Sequence, residues 1–106
     1  MNTKKAFQTA AWRAKQRLEP QVRTILDNSG WPKEVTSQLS LVSTRDAIGI
    51  YIPANLAQQV EDLEYGTVGT PPSWVMRRID ELVDQVLEDE VQKEYVNFIF
   101  SEDVLL

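Results

Sequence analysis

Apolar side chains in the first part of the chain recur at steps of three and four: Phe7, Ala11, Ala14, Leu18, Val22 and Ile25. That spacing lays one stripe along a 3.6-residue helix. It predicts a helix starting near Thr3, whose hydroxyl suits a cap, and stopping at Asn28-Ser29-Gly30, where glycine can take the positive φ of a helix end. Pro20 interrupts the pattern, because it has no N–H and its ring collides with the preceding turn. The helix is therefore expected either to kink there or to divide, with Pro20 in the first turn of a second half. After the connector Trp31-Pro32 the period changes to two. Val35, Ser37, Leu39, Leu41 and Ser43 alternate with Glu34, Thr36, Gln38, Ser40 and Val42, and Ile48, Ile50 and Ile52 alternate with Ala47, Gly49 and Tyr51. With Thr44-Arg45-Asp46 as a turn in which Asp46 can bond nearby backbone, this reads as an antiparallel hairpin closed by Pro53.

Asn55 is placed to cap a short helix bearing Leu56, Val60 and Leu63, and the stretch from Gly66 to Ser73 reads as a loop. Thr70-Pro71-Pro72 is a helix-start signal, and Val75, Ile79, Leu82/Val83, Val86 and Leu87 carry the stripe of a long helix behind it. Tyr95 to Phe100 is aromatic and β-branched, which predicts a last strand, and Val104-Leu105-Leu106 forms an apolar tail. The order is N-terminal helix, hairpin, short helix, long helix, C-terminal strand. A two-stranded hairpin is marginal alone, so the last strand is expected to join it, with the helices on one face of a small mixed sheet. The fold class is α+β, in a single domain over residues 1–106.

The chain has 106 residues, with 42% hydrophobic and 25% charged side chains, values of an ordinary globular domain. It contains no cysteine and no histidine. Disulfides, thiolate metal sites and Ser-His-Asp or Cys-His catalysis are thereby excluded, which favours a binding or structural protein over an enzyme, with no cofactor. The apolar runs are too short to span a membrane, and Met1 to Phe7 has no apolar leader core, so the protein is expected in the cytoplasm of the cell that makes it.

Charge is unevenly distributed. Residues 1–30 carry six basic and two acidic side chains, a balance of +4, and the remainder carries five bases and fourteen acids, −9. The basic segment has three readings: a solvated helix face or a helix laid on the chain's own acidic body; a docking surface for an acidic neighbour such as another copy; or a nucleic-acid surface, which the net charge of −5 disfavours. Asp80, Asp84 and Glu88 fall four apart on one helical face, a ladder that reads first as solvated surface and second as an oxygen-ligand metal site. Arg77-Arg78 reads as surface charge opposite Asp80 and Glu81, or as an interface anchor. Trp12, Trp31 and Trp74 are expected mainly in the core, although three tryptophans in a small domain also favour a protein interface.

The most informative stretch is Leu63-Glu64-Tyr65-Gly66-Thr67, followed by Pro71-Pro72-Ser73-Trp74-Val75. It resembles the tail-completion (minor tail component) family of long-tailed bacteriophages, head–tail joining proteins of the neck. Their signature runs Glu-aromatic-Gly-Thr, a Pro-rich loop, then Pro-Phe-Leu-Arg-Pro-Ala opening the final helix. Glu64, Tyr65, Gly66 and Thr67 match directly, and Pro71-Pro72 matches the loop. Trp74 and Val75 stand for Phe and Leu, while Ser73 and Met76-Arg77-Arg78 depart from the pattern. The resemblance implies a virion protein made in the host cytoplasm. It would be a homo-oligomer, a sixfold ring at the neck or tail end, partnered by the adjacent head-connector and tail-tube proteins. It would use no membrane and no sequence-specific nucleic acid. The interface residues expected are Arg13 and Arg17 from the charge split, and Glu64, Tyr65, Gly66, Thr67, Pro71, Pro72 and Trp74 from the motif. Phe98, Leu105 and Leu106 join them because the strand has two apolar faces and the tail is apolar. The competing reading is an acidic binding module that inhibits a basic or DNA-binding protein, the acidic helix mimicking phosphate; an enzyme using a carboxylate-held metal comes third.

Overall fold

In a computed structural model of the chain, the backbone is described for residues 3–44 and 47–105, and the side chains for residues 5–44, 47–94 and 96. The elements are α1 (Thr3–Asp27), a single-turn helix α2 (Lys33–Thr36), strands β1 (Ser40–Ser43) and β2 (Ile48–Tyr51), a 3₁₀ turn (Ala54–Leu56), α3 (Ala57–Tyr65) and α4 (Val75–Leu105). The class is α+β: two long helices pack side by side, with the hairpin and α3 against them.

The stripe on α1 holds as predicted, with Ala14 and Leu18 fully buried and Val22 nearly so. It is wider by Ala10 and Leu26, also buried, while Ile25 sits at its margin. Pro20 neither divides the helix nor ends it: α1 runs unbroken through it. Proline cannot donate to the carbonyl four residues earlier, that of Gln16. Gln16 and Pro20 are both exposed, so water can take the vacant acceptor. Beyond Asp27 the Ser29 hydroxyl donates to the Leu26 carbonyl at 2.6 Å and accepts from the Trp31 N–H at 3.1 Å. Gly30 turns the chain at φ +81°.

The predicted first strand is shortened. Residues 33–36 form α2, started by Pro32 at φ −56°, whose carbonyl accepts from the N–H groups of Val35 and Thr36. Val35 and Leu39 are both buried. Their separation of four suits one helical turn as well as a strand, so the period-two pattern was ambiguous there. Arg23 on α1 donates to the Thr36 carbonyl at 3.0 Å and the Leu39 carbonyl at 2.9 Å, which pins the base of the hairpin. The strands pair antiparallel, Leu41 opposite Ile50 and Ser40 opposite Tyr51. Leu41 is buried and Ile48, Ile50 and Ile52 pack partly on the core, while Val42 and Tyr51 face outward. Thr44 and Ala47 close the turn, the Thr44 N–H donating to the Ala47 carbonyl at 2.7 Å. The expected role of Asp46 lies outside the described residues.

Asn55 does not cap a helix from outside. It lies within the 3₁₀ turn that Pro53 starts, where the Pro53 carbonyl accepts from the Leu56 N–H at 2.9 Å. The largest correction concerns residues 95–100, which continue α4 as helix and do not form a strand. The sequence holds no glycine or proline between Ser73 and Leu106 to stop the helix, and the stripe of Val75, Ile79, Val83 and Val86 extends into Glu90 and Glu94, buried against α1. Helical periodicity therefore overrides local β propensity. The sheet remains two-stranded. Its core joins Leu18 and Leu26 of α1, Val35, Leu39, Val75 and Ile79. Among the described residues no helix is long and apolar enough to cross a membrane.

Candidate interaction site

Glu64 is 4% exposed, an unusual place for a carboxylate on a nine-residue helix. Its partners explain it. Oε1 accepts from the Met76 N–H at 2.7 Å and Oε2 from the Arg77 N–H at 2.9 Å, both at the start of α4. The first turn of a helix has N–H groups without internal partners and a positive dipole end. A side chain from α3 therefore supplies the cap that no local residue provides. The Glu64 carbonyl in turn accepts from the N–H groups of Ser73 and Trp74 at 3.1 and 3.2 Å. One residue thus holds four backbone donors of the following segment.

Gly66 ends α3 with φ +81° and its N–H on the Asp62 carbonyl. A Cβ there would lie 2.6 Å from the Thr70 carbonyl oxygen and 2.8 Å from the Pro72 nitrogen, so the loop folds back over a position that only glycine can fill. Thr67 and Thr70 exchange two backbone hydrogen bonds of 3.0 Å around Val68-Gly69. Positive φ at Gly69 alone of that pair marks a type II turn. Pro71 and Pro72 carry the chain back to Ser73, whose hydroxyl donates to the Leu63 carbonyl at 2.6 Å and accepts from Trp31 Nε1 at 3.1 Å. Ser73, where the resembled family has proline, therefore ties the loop to the buried Trp31.

This rigid knuckle displays apolar side chains to solvent. Val68 is fully exposed, Tyr65 is 63% exposed and Trp74 40%. Tyr65 and Trp74 meet edge to face with centroids 5.7 Å apart, and the Arg77 guanidinium lies 5.9 Å from the Trp74 ring centre. Trp74 has φ +56°, a conformation that bulky residues avoid and that costs on the order of 1–3 kcal/mol. An exposed tryptophan held in a strained backbone gains little for the fold by remaining tryptophan.

The expected interface residues separate into two groups. Glu64, Tyr65, Gly66, Thr67, Pro71, Pro72 and Trp74 come together in the knuckle, Glu64 and Gly66 as its frame and Tyr65 and Trp74 as its display. Arg13 and Arg17 lie elsewhere and pair within the chain. Arg13 binds Glu94, and Arg17 Nη1 reaches Asp89 Oδ2 at 2.7 Å and Glu90 Oε1 at 2.8 Å. Lys93 joins both acids at 3.2 and 3.5 Å. Hydrogen bonds from Arg17, then from Lys93, hold the Asp89 carboxyl below its usual range, and the same contacts with Glu90 and Asp89 raise Arg17. The basic helix thus lies on its own acidic partner. Phe98 and Leu105 fall on α4, with side chains outside the described residues, as is Leu106. Trp12, 63% exposed on α1, is not a core residue, whereas Trp31 is. Val68 was missed, although Val-Gly between two threonines is a turn signal. Among the described residues no group of three or more acidic side chains is arranged to hold a metal ion. Compared with family models, curated proteins and solved structures, the chain matches none.

Proposed function

We propose that the chain is a structural subunit of a phage neck or tail end, a ring component that joins the head connector to the tail tube in the virion. The observation that carries the reading is the knuckle. The residues that resemble the tail-completion signature, Glu64 to Thr67 and Pro71 to Trp74, form one preorganised unit that presents Tyr65, Trp74 and Arg77 to solvent. Tyrosine, tryptophan and arginine dominate binding energy at protein interfaces, and a rigid loop loses little entropy on docking. The knuckle and the two-helix face are different surfaces, so contact between them on neighbouring copies is head-to-tail, the kind that closes into rings.

The test is negative-stain electron microscopy and native mass spectrometry of the purified chain, alone and mixed with the products of its neighbouring genes. Closed rings, alone or on those partners, are expected. Trp74→Gly should abolish them while leaving the subunit folded, because glycine takes φ +56° without strain. Monomers in every mixture, or rings indifferent to Trp74→Gly, would overturn the reading.

A further inference from the structure

A groove of about 320 Å³ lies between β2, α3 and the first turns of α4. Ile50 of β2, Ile52 just beyond its end, Val60 of α3 and Met76 of α4 supply its apolar lining, and Glu61 and Asp80 its acidic rim. Among the described residues no basic side chain lines it. Three observations describe what would fill it. First, the sheet has only two strands, and among the described residues the backbone groups of β2 make no hydrogen bonds except with β1. A strand edge of this kind is a template for one more strand. Second, Ile50 and Ile52 are only partly covered by the core, and they sit two apart, the spacing of side chains on one face of an added strand. Third, Asp80 has no cationic partner among the described residues. Partial burial, and then the nearby charges of Asp84 and Glu64, raise its carboxyl above the usual range. A cation delivered there would offset the repulsion from Asp84 and Glu64.

We infer that the β2 edge and this groove accept an extended segment of a different protein. That segment would pair with β2 as a third strand, set alternate aliphatic side chains against Ile50, Ile52 and Met76, and place lysine or arginine beside Glu61 and Asp80. Main-chain pairing provides affinity in such strand addition, and side-chain pockets provide selectivity. A second copy of this chain is the weaker occupant. Its described residues between elements are short loops, and two of its helix arginines already serve Asp89, Glu90 and Glu94. The groove borders the knuckle at Glu64 and Tyr65, but the inference does not rest on the ring-subunit reading, since the β2 edge and the Glu61–Asp80 rim lie outside the residues that carry that reading.

The experiment pans a displayed library of random peptides against the purified chain, with sedimentation run in parallel. Enriched peptides should alternate aliphatic or β-branched residues and carry lysine or arginine at an end. Bound to the chain, a synthetic copy should slow hydrogen exchange at those β2 amides that do not face β1. The doubly reversed variant Glu61→Lys/Asp80→Lys should bind it about tenfold or more weakly at low salt, with a melt no lower than the parent's. The inference fails if no sequence enriches, or if the enriched peptides bind the reversed variant equally. It also fails if protection appears at the Thr67–Thr70 turn or on α1 instead of β2, or if the chain self-associates through β2.

Discussion

Replacing Glu64 with glutamine tests whether α4 depends on a cap lent by α3. The substitution preserves size and shape but exchanges one carboxylate oxygen for an amide NH₂. Either Met76 or Arg77 then faces a donor where it now finds an oxygen at 2.7 or 2.9 Å. Net hydrogen bonds to charged groups are worth about 1.5–3 kcal/mol, and neutral ones about 0.5–1.5 kcal/mol. Losing one charged bond and weakening the other to a neutral one removes about 2–3 kcal/mol, with part of any offset coming from the cheaper burial of an amide. For a domain of this size about 1 kcal/mol moves the melting point by roughly 4 °C or more, so a drop of about 10 °C is expected. The assay is urea unfolding followed by far-ultraviolet circular dichroism, with Glu81→Gln as the control. Glu81 is two-thirds exposed and pairs only with Arg77 on the surface, so that change should fall within about 0.5 kcal/mol. Amide exchange supplies the residue-level readout: Met76 and Arg77 should lose protection first. A loss below about 0.5 kcal/mol for Glu64→Gln, or a large loss with both amides still protected, would refute the capping argument.

Gly66→Ala should cost more than the roughly 1–3 kcal/mol of a backbone conformation (φ +81°, ψ 170°) nearly exclusive to glycine, because its Cβ would also press on the Thr70 carbonyl at 2.6 Å; a melt like the parent's would mean the loop does not fold back over Gly66. Asp80→Asn should stabilise the chain at neutral pH. A carboxyl whose folded value is raised destabilises the fold once charged, so the gain should fade as pH falls toward the ordinary aspartate range, and a gain that persists in acid would contradict the assignment. Asp89 has the opposite sign. Its depressed value stabilises the fold above the ordinary aspartate pKa, and this contribution should disappear as pH falls below about 4; Asp89→Asn should flatten that part of the acid unfolding curve, and an unaltered curve would count against the Arg17 contact. Reversing Arg13 and Arg17 to glutamate should loosen the α1–α4 pair, with a lower melting point that high salt partly restores; equal melts at every salt concentration would place the pairs in the solvated class.

The stripes on α1 and α4, the existence of the hairpin and Gly66 were readable because each rests on local geometry: a period, a turn or a missing Cβ. Residues 95–100 were misread because valine and aromatic residues favour strands only where a strand partner exists, whereas here nothing in the sequence stops the helix that arrives from Val75. Residues 33–36 failed for another reason, since Val35 and Leu39 fit a turn and a strand equally. In the knuckle, the motif residues were visible but their division of labour was not. Glu64 reads as one more acid on a polar helix face until the start of α4, twelve residues on, is brought onto its carboxylate. A basic α1 on an acidic body was legible from the charge split, but Arg13 and Arg17 were expected at an interface, and only the antiparallel placement of α4 brings Glu94, Asp89 and Glu90 to them.

The pairing of α1 with α4 also bears on how the chain is made. Translation delivers α1 well before α4, and at about 5–20 residues per second the interval between them lasts on the order of seconds. During that time Leu18, Val22 and Leu26 lack the helix that finally covers them, and only the hairpin can shield part of the stripe. Arg13, Lys15, Arg17 and Arg23 keep the waiting helix charged and discourage contact with other nascent copies. When the acidic α4 emerges, Asp89, Glu90 and Glu94 attract that same charge. The same charges that pair in the finished fold thus favour the joining of α1 to α4 over contact between unfinished copies.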